Sequence, residues 1–480
     1  MEHRDPWKPA PVLRIAVLLG LLIAPGRQAS LAAEPCKISP GDWSPVERHV
    51  WSDFICLGKP ADLSKLSDGE RALSGAFLQS VLQQNPWRRA IPWTGVAISG
   101  AHFTDAVTLN SGDFDKSLHL EDCTFAKDVF LSQARFKKSV WLDGSHFKRL
   151  LLNGLVLDGS LYLRRVEAEA LWMNGADVSG HVYLSESKFA RVFMDASRIK
   201  GDVVLFGTKA NLLEMIGIDV TGTVNIARVT LREPLDLRYA NVKGNLEINS
   251  GALPGFTLVG GTVSGEISLG NAQELTWTDP AAKADLRNAR AKTIQMGGVA
   301  WPPKLDLRDF KYEVFDYFAD ADSHGYQSWL ERSEPFSPQP YYFLSHLLAD
   351  RGEIIASRDL LYAAEKKLDA VPRSYLAYAF NTALDWAIGY GYHIEWVWVP
   401  IVAFLVLGMI VVRLSGEATK YALGSGFWFS FDLLLPLVRL RELHYTIDLR
   451  SGVRHYFYIH KLMGYVLASF VVAGLGHLAK

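Results

Sequence analysis

The stretch FKKSVWLDGSHFKRLLLNGL, from Phe136 to Leu155, places large apolar residues at unusual intervals. Phe136, Leu142, Phe147 and Leu152 follow one another in steps of six, five and five residues. An amphipathic helix repeats its apolar residues in steps of three and four, and a half-buried strand repeats them in steps of two. The interval therefore predicts neither a plain helix nor a plain strand.

The same interval continues in both directions, and every position on it is apolar. The positions are Ile98, Phe103, Leu109, Phe114, Leu120, Phe125, Leu131, Leu157, Leu163, Ala168, Met173, Val178, Leu184, Phe189, Met194, Ile199, Leu205, Ala210, Met215, Val220, Ile226, Leu231, Leu237, Val242, Ile248, Leu253, Leu258, Val263 and Leu269. Two residues before a position reached by a step of five there is usually a small residue, such as Ser145, and before one reached by a step of six there is an apolar and often branched residue, such as Val140. Residues two apart on an extended chain point to the same side, so we expect both to face inward.

A coarser repeat of glycine accompanies this pattern. Gly159, Gly180, Gly201, Gly222, Gly244 and Gly265 stand 21 or 22 residues apart, each before an x-apolar-x-apolar strand. Self-similarity at such a period indicates a solenoid. Four sides of five residues, with one or two residues added, close one coil. The sequence thus predicts a β-solenoid of about ten coils, with coils about 4.8 Å apart and a length of roughly 40–50 Å.

The repeat unit resembles that of the pentapeptide-repeat proteins, in which a small residue, any residue and a central Leu or Phe follow one another. ADLRN (Ala284 to Asn288), GADVSG and YANVKG match this unit closely, and the resemblance covers residues 95–307. It implies a right-handed quadrilateral β-helix. An interior filled with side chains leaves no room for a substrate, so we expect the solenoid to act through its outer surface.

The N-terminus is typical of an export signal. Basic residues precede the apolar run IAVLLGLLIA, and SLAA offers small residues for cleavage. We predict a signal peptide over residues 1–33, with an uncleaved anchor as the alternative. Helical patterns over 34–94 predict a cap that covers the first coil.

The chain has three cysteines, and two of them fall in the predicted cap. In an oxidising compartment Cys36 and Cys56 either form a disulfide or remain as two buried thiols. Cys123 occupies a small inward position of the repeat, where we expect a packing thiol.

After the solenoid, residues 308–392 predict a helical hairpin, broken at Gly352, and a linker helix. Residues 393–480 predict two transmembrane helices, over Trp396–Val412 and Leu462–Ala479. Arginines and one lysine between them place the connection in the cytoplasm, so the solenoid lies outside.

The second predicted span carries small residues four apart. These pairs are Gly464 with Ala468, and Ser469 with Ala473. Such spacing lets membrane helices approach closely and offers a route to a homo-oligomer. The alternative is chance in a helix rich in glycine and alanine.

A short apolar segment, FWFSFDLLLPLV (Phe427 to Val438), lies between the two spans. It is too short to span and suits a re-entrant or interfacial segment. Asp432 is the acid within it, which makes it a candidate functional acid in the membrane; the alternative is a structural pair with Arg439 or Arg441. The order of span, short segment and span is similar to two-helix ion channels, although no glycine-rich filter follows.

The order of the whole chain also resembles a family of bacterial membrane proteins with a degenerate solenoid, a helical hairpin and a two-span end. Matching pieces are GVAISGAHF, QPYYFLSHLLADRGE, GYGY, FSFDLLLPL and HKLMGYVLASFVVAGL. Relatives are labelled pentapeptide-repeat proteins or membrane-associated oxidoreductases. The sequence contains no dinucleotide fingerprint, no C-x-x-C pair and no haem-attachment motif, so we predict no cofactor.

These observations favour a scaffold or binding protein of the bacterial inner membrane. Its solenoid is predicted on the periplasmic or extracellular side, with a protein partner on the solenoid or the hairpin. A conduit or sensor gated by the solenoid is the alternative, and an oxidoreductase is a third possibility that rests on the family label alone. A net charge of −1 argues against a nucleic-acid partner.

Overall fold

The computed structural model describes residues 34–296, 298–316, 323–369, 374–435 and 438–478. It contains a parallel β-solenoid of about ten turns, preceded by short helices and followed by longer ones. The predicted β-solenoid and its repeat are therefore confirmed. The predicted signal peptide, 1–33, lies outside the described residues.

Strands of successive coils pair in parallel and stack in four columns, each named here after one member. The Val140 column contains Ala61–Asp62, Val96–Ser99, Leu118–Glu121, Val140–Trp141, Leu161–Tyr162, Val182–Tyr183, Val203–Val204, Val224–Ile226, Leu246–Ile248, Thr262–Leu269, Arg290–Gln295 and Lys311–Asp316. The Phe136 column contains Asp113–Phe114, Arg135–Phe136, Val156–Leu157, Asp177–Val178, Arg198–Ile199, Asp219–Val220 and Asn241–Val242. The last of these pairs with Thr262–Leu269, which belongs to both columns.

The other two columns share four strands that continue around a corner: His146–Leu151, Glu167–Trp172, Lys188–Phe193 and Lys209–Glu214. The Phe147 column also contains Ala72–Leu73, His102–Phe103, Thr124–Phe125, Val229–Leu231, Gly251–Leu253 and Leu275–Trp277. The Leu150 column also contains Val107–Thr108, Val129–Phe130, Leu235–Asp236, Gly255–Thr257, Lys283–Asp285 and Lys304–Asp306. Pairing between strands thus extends from Ala61 to Asp316. The solenoid is therefore longer at both ends than the segment 95–307 predicted from the sequence.

The side chains at the positions of the apolar interval fill the interior of the solenoid. Phe136 and Leu142 are buried, whereas Lys137, one residue after Phe136, is exposed. Identical positions of successive coils stack their rings, so Phe125 lies 4.7 Å from Phe103 and 4.6 Å from Phe147 between centroids. This packing of like on like explains why the interval persists along the chain.

The small inward positions have a separate task, because several of them carry a buried hydroxyl that bridges two coils. Ser187 Oγ accepts a hydrogen bond from the Val166 N–H at 2.9 Å and donates to the Leu163 carbonyl at 2.6 Å. Backbone groups at the corner are thereby satisfied inside an apolar core, where an unpaired polar group is costly.

The glycine repeat marks the closest approach between coils. The Gly201 N–H donates to the Gly180 carbonyl at 3.0 Å, and a β-carbon on Gly201 would lie only 2.6 Å from the same oxygen. Gly222 and Gly244 repeat this geometry, each against the glycine one coil earlier. Only a residue without a side chain lets the coils stack at this corner.

The N-terminal end is closed by short helices: α1 (Glu34–Lys37), α2 (Pro45–His49), a π turn (Val50–Phe54), a 3₁₀ turn (Ile55–Leu57), α3 (Gly75–Gln83) and α4 (Trp87–Ala90). A disulfide joins Cys36 to Cys56. The buried Glu47 carboxylate accepts the N–H groups of Ser44 at 2.7 Å and Ser74 at 2.8 Å, which ties α2 to the start of α3. Cys123 is buried inside the solenoid, where burial raises the pKa of its thiol to about 12.

Helices also follow the last coil: α5 (Ser323–Glu331), α6 (Gln339–Asp350), α7 (Ile354–Asp369), α8 (Tyr375–Ile388), two 3₁₀ turns (Gly389–Gly391 and Ile394–Val397), α9 (Trp398–Leu414), α10 (Glu417–Lys420), α11 (Phe427–Leu434), α12 (Leu443–Thr446) and α13 (Ser451–Leu478). The rings of Tyr312 and Phe343 meet at 5.0 Å, so α6 packs on the final strand. The predicted helical hairpin corresponds to α6 and α7, whose buried Ser345 and Ser357 hydroxyls lie 3.1 Å apart.

Among the described residues, one helical run, Ile394–Leu414, is long and apolar enough to cross a membrane. Its outer face exposes large apolar side chains, including Trp398, Val402 and Leu414. The second predicted span lies in α13 and extends past the described residues, so the two-span arrangement stays a prediction.

Candidate functional site

An open groove lies along the outer corner of the solenoid, over the four long strands. Its volume is about 620 Å³, and it crosses five coils, from His146 to Thr230. At about 4.8 Å per coil, its length is roughly 19 Å.

The floor of the groove is formed by residues of the apolar interval. Phe147 and Phe189 alternate there with Ala168 and Ala210. Two of these positions thus carry a methyl group where the neighbouring coils carry a ring, and Ala190 continues the depression on one side. The depression follows from side-chain volume, because all of these residues count equally as apolar in the sequence pattern.

Titratable side chains occupy the first three rungs of one rim. Glu167 lies between His146 and Lys188, with its Oε2 3.7 Å from His146 Nε2 and its Oε1 2.5 Å from Lys188 Nζ. The hydrogen bond from Lys188 holds the pKa of Glu167 below its usual value. The positive charge of Lys188 therefore balances the negative charge of Glu167 in this part of the rim.

The other end of the groove is basic. Lys209 and Arg232 line it from opposite rims, one coil apart, together with Asn211. Both cations are exposed, and neither forms an ion pair within the described part of the chain. Glu169 is exposed on the second coil. The groove lining thus carries the acid Glu169 near one end and two cations at the other.

The sequence pattern included the floor residues as interior positions but did not predict that they form a groove. The available signal was Ala168 and Ala210 standing where phenylalanine or leucine dominates, with Glu167 and Glu169 on both sides of the first and Lys209 before the second.

Asp432, the predicted membrane acid, is fully buried in α11. Its Oδ1 accepts the Leu440 N–H at 2.9 Å, and its Oδ2 accepts the Arg441 N–H at 3.1 Å. His444 Nδ1 lies 2.8 Å from Oδ2. Since an ionised carboxylate only accepts, Nδ1 carries the proton.

The expected alternative, a pair with the Arg439 or Arg441 side chain, is absent from the described contacts of Asp432. The backbone of Arg441 binds instead, and the acid holds the segment after α11 against that helix. Hydrogen bonds from backbone N–H groups to an ionised carboxylate are stronger than those between neutral groups.

A second buried polar group lies beside it. His460 Nε2 is 3.0 Å from the Ser430 carbonyl, and Tyr456 hydroxyl is 3.2 Å from His460 Nδ1. The Ser430 hydroxyl donates to the Leu405 carbonyl at 3.0 Å. Together these bonds link α9, α11 and α13.

The predicted helix-packing residues divide between two environments. Gly464 is buried, and a β-carbon there would lie 1.9 Å from the Leu434 carbonyl, so it admits close packing of α13 on α11. Ala468 is half-buried, and Ser469 is exposed with its hydroxyl on the Val466 carbonyl at 2.7 Å. Ala473 lies within α13, in the part whose side chains are outside the described set.

Among the described residues, no group of three or more His, Cys, Asp or Glu side chains is arranged to hold a metal ion. Comparisons of the chain with family models, curated proteins and solved structures find no match. The resemblances drawn from the sequence therefore remain expectations.

Proposed function

We propose that this protein is a membrane-anchored binding protein of the bacterial envelope, which holds an extended peptide segment of a protein partner in the solenoid groove. The observation that carries the proposal is the groove itself, with Lys209 and Arg232 at one end forming no ion pair with any described residue. The filled interior supports it, because recognition must then occur on the outer surface.

The shape and charge of the groove define the occupant. Backbone hydrogen bonds of the solenoid run between coils, so the groove offers side chains rather than an unpaired strand edge. A length of roughly 19 Å accommodates about six extended residues. Charge complementarity calls for carboxylates opposite Lys209 and Arg232.

The position of Glu169 argues against a uniformly anionic polymer. Such a polymer would place negative charge opposite Glu169 on the second coil, and like charges brought together oppose binding. A peptide with acidic residues at one end and a cationic residue at the other avoids this repulsion. Hence we favour a polypeptide over a nucleic acid or an acidic polysaccharide.

The test uses two labelled peptides of equal composition, one with aspartates at one end and lysine at the other, and one with these charges evenly interspersed. Fluorescence anisotropy on the full chain in detergent should show tighter binding of the segregated peptide. Lys209→Glu and Arg232→Glu should each weaken it about tenfold, because each replaces attraction by repulsion. Lys137→Glu, on an exposed position outside the groove, is the matched control. Equal weakening by the control would contradict the proposal.

Membrane anchoring is the second part of the proposal. The apolar face of Ile394–Leu414 supports it, as does the basic connection that follows. The finer arrangement, with two spans and the solenoid outside the cytoplasm, can be tested with introduced cysteines. Ser250→Cys should react with an impermeant thiol reagent once the outer layer is permeabilised, and Ser425→Cys only after the inner membrane is broken. The reverse pattern would contradict the proposed orientation.

Asp432 bears on the alternative of a conduit. Its two oxygens are occupied by backbone N–H groups and by His444, which leaves little capacity to attract a passing cation. This arrangement favours an anchor over an ion pathway.

A further inference from the structure

Two cationic side chains converge on one tyrosine at the membrane end of the molecule. The Arg439 guanidinium carbon and the Lys461 ammonium nitrogen each lie 5.1 Å from the centroid of the Tyr445 ring. The two charges are therefore no more than about 10 Å apart, each within the range of cation–π attraction. Like charges repel at this distance, so their convergence requires an explanation.

Tyr445 is held rigidly in place. Its hydroxyl donates to the Asp432 backbone carbonyl at 2.8 Å and lies 3.3 Å from Asp432 Oδ1. The ring is thus a fixed platform, and the flexible stems of Arg439 and Lys461 adjust around it.

No acid neutralises this pair among the described contacts. Asp432 is the acid that contacts Tyr445, and its carboxylate is already engaged by two backbone N–H groups and His444. Neither Arg439 nor Lys461 forms an ion pair with any described residue. The pair consequently presents net positive charge toward the surface.

Apolar surface adjoins the cations. Leu462, directly after Lys461, is 63% exposed, and Tyr465 and Val466 are also exposed on α13. Cationic groups beside an apolar helical face match the chemistry of a lipid, with its phosphate beside its acyl chain.

We propose that Arg439 and Lys461, positioned by Tyr445, bind the phosphate of an anionic phospholipid headgroup, with an acyl chain along the exposed face of α13. This inference rests on the membrane anchoring proposed above. A phosphate group can accept a hydrogen bond from each cation through a different oxygen, with the flexible stems of Arg439 and Lys461 closing the remaining distance, and its negative charge offsets their repulsion. A zwitterionic lipid supplies the same phosphate but adds a positive group, so binding should favour anionic lipids.

The experiment places the full chain in nanodiscs of phosphatidylcholine alone or mixed with phosphatidylglycerol, and counts retained lipid by native mass spectrometry after transfer to detergent. We expect retained phosphatidylglycerol on the wild type. The double variant Arg439→Gln/Lys461→Gln should retain about tenfold less, because it removes both groups that bind the phosphate in this proposal. Arg413→Gln, at the end of α9, removes an exposed cation that does not meet Tyr445 and should retain as much as the wild type.

The results of this experiment distinguish three ways in which the inference can fail. A chain that does not enter nanodiscs contradicts the anchoring proposal. A chain that enters, but loses phosphatidylglycerol equally in Arg413→Gln and in the double variant, overturns the specific site. If inorganic phosphate displaces the retained lipid and protects the wild type alone from thermal unfolding in detergent, the ligand is free phosphate and the lipid assignment is wrong.

Discussion

Replacement of Gly201 by alanine tests the tightest contact of the solenoid. The added β-carbon would lie 2.6 Å from the Gly180 carbonyl oxygen and 2.7 Å from its carbon. Non-bonded carbon atoms prefer about 3.5–4.0 Å, so the coils must separate locally by roughly 1 Å. The N–H of Gly201 hydrogen-bonds to the same carbonyl at 3.0 Å, and this separation would stretch that bond.

The expected cost is that of overpacking, about 1–3 kcal/mol in the free energy of unfolding. For a domain of this size, about 1 kcal/mol lowers the melting temperature by about 2–4 °C. Thermal unfolding of the full chain in detergent, followed by far-ultraviolet circular dichroism, should therefore show a decrease of several degrees. Hydrogen exchange should increase first in the two coils that meet at Gly201.

Gly69→Ala supplies the control. A β-carbon there meets no atom within 4 Å, and the backbone does not have a positive φ. Its effect should lie within about 0.5 kcal/mol of the wild type. If Gly201→Ala proves no more destabilising than Gly69→Ala, the explanation of the glycine repeat as a stacking requirement is wrong.

Three further predictions concern buried groups. Phe136→Asp should unfold the solenoid, with a loss of roughly 4 kcal/mol or more from an unpaired charge in the core, whereas Lys137→Asp should be nearly silent; equal protease resistance would contradict the assigned interval. Ser187→Ala should cost about 1–3 kcal/mol by leaving the Val166 N–H unpaired, and an unchanged denaturation midpoint would argue against the bridging role. Asp432→Asn should expose the segment 438–446 to hydrogen exchange, because an amide cannot accept from all three donors. It should also leave liposomes without ion flux, as in the wild type; a wild-type cation current that the variant lacks would favour the conduit instead.

The solenoid was predictable because its information is local and repeated. Phe136 and Leu142 point inward, as do their counterparts 21 or 22 residues away. Parallel pairing of the coils then places apolar side chains at equivalent positions next to each other. The corner at Gly201 could be located in the same way, although the reason for glycine became visible only with the carbonyl of Gly180.

The groove was not predictable by polarity, since Ala168 and Phe147 score alike in an apolar pattern and differ only in volume. The partners of Asp432 were equally hidden. Backbone N–H groups at Leu440 and Arg441 leave no signature in the sequence, because every residue except proline has one. A charge-based expectation therefore selected the arginine side chains.

Because the coils stack in one direction, their number sets the distance between the two ends of the solenoid. Each coil pairs only with the coils before and after it, so removing or adding 21 residues should leave the packing of the others unchanged. The disulfide-closed end would then move toward or away from α9 by about 4.8 Å for each coil. If the groove binds a peptide and α9 lies in a membrane, as proposed above, the number of coils between them sets the distance of the bound peptide from the membrane.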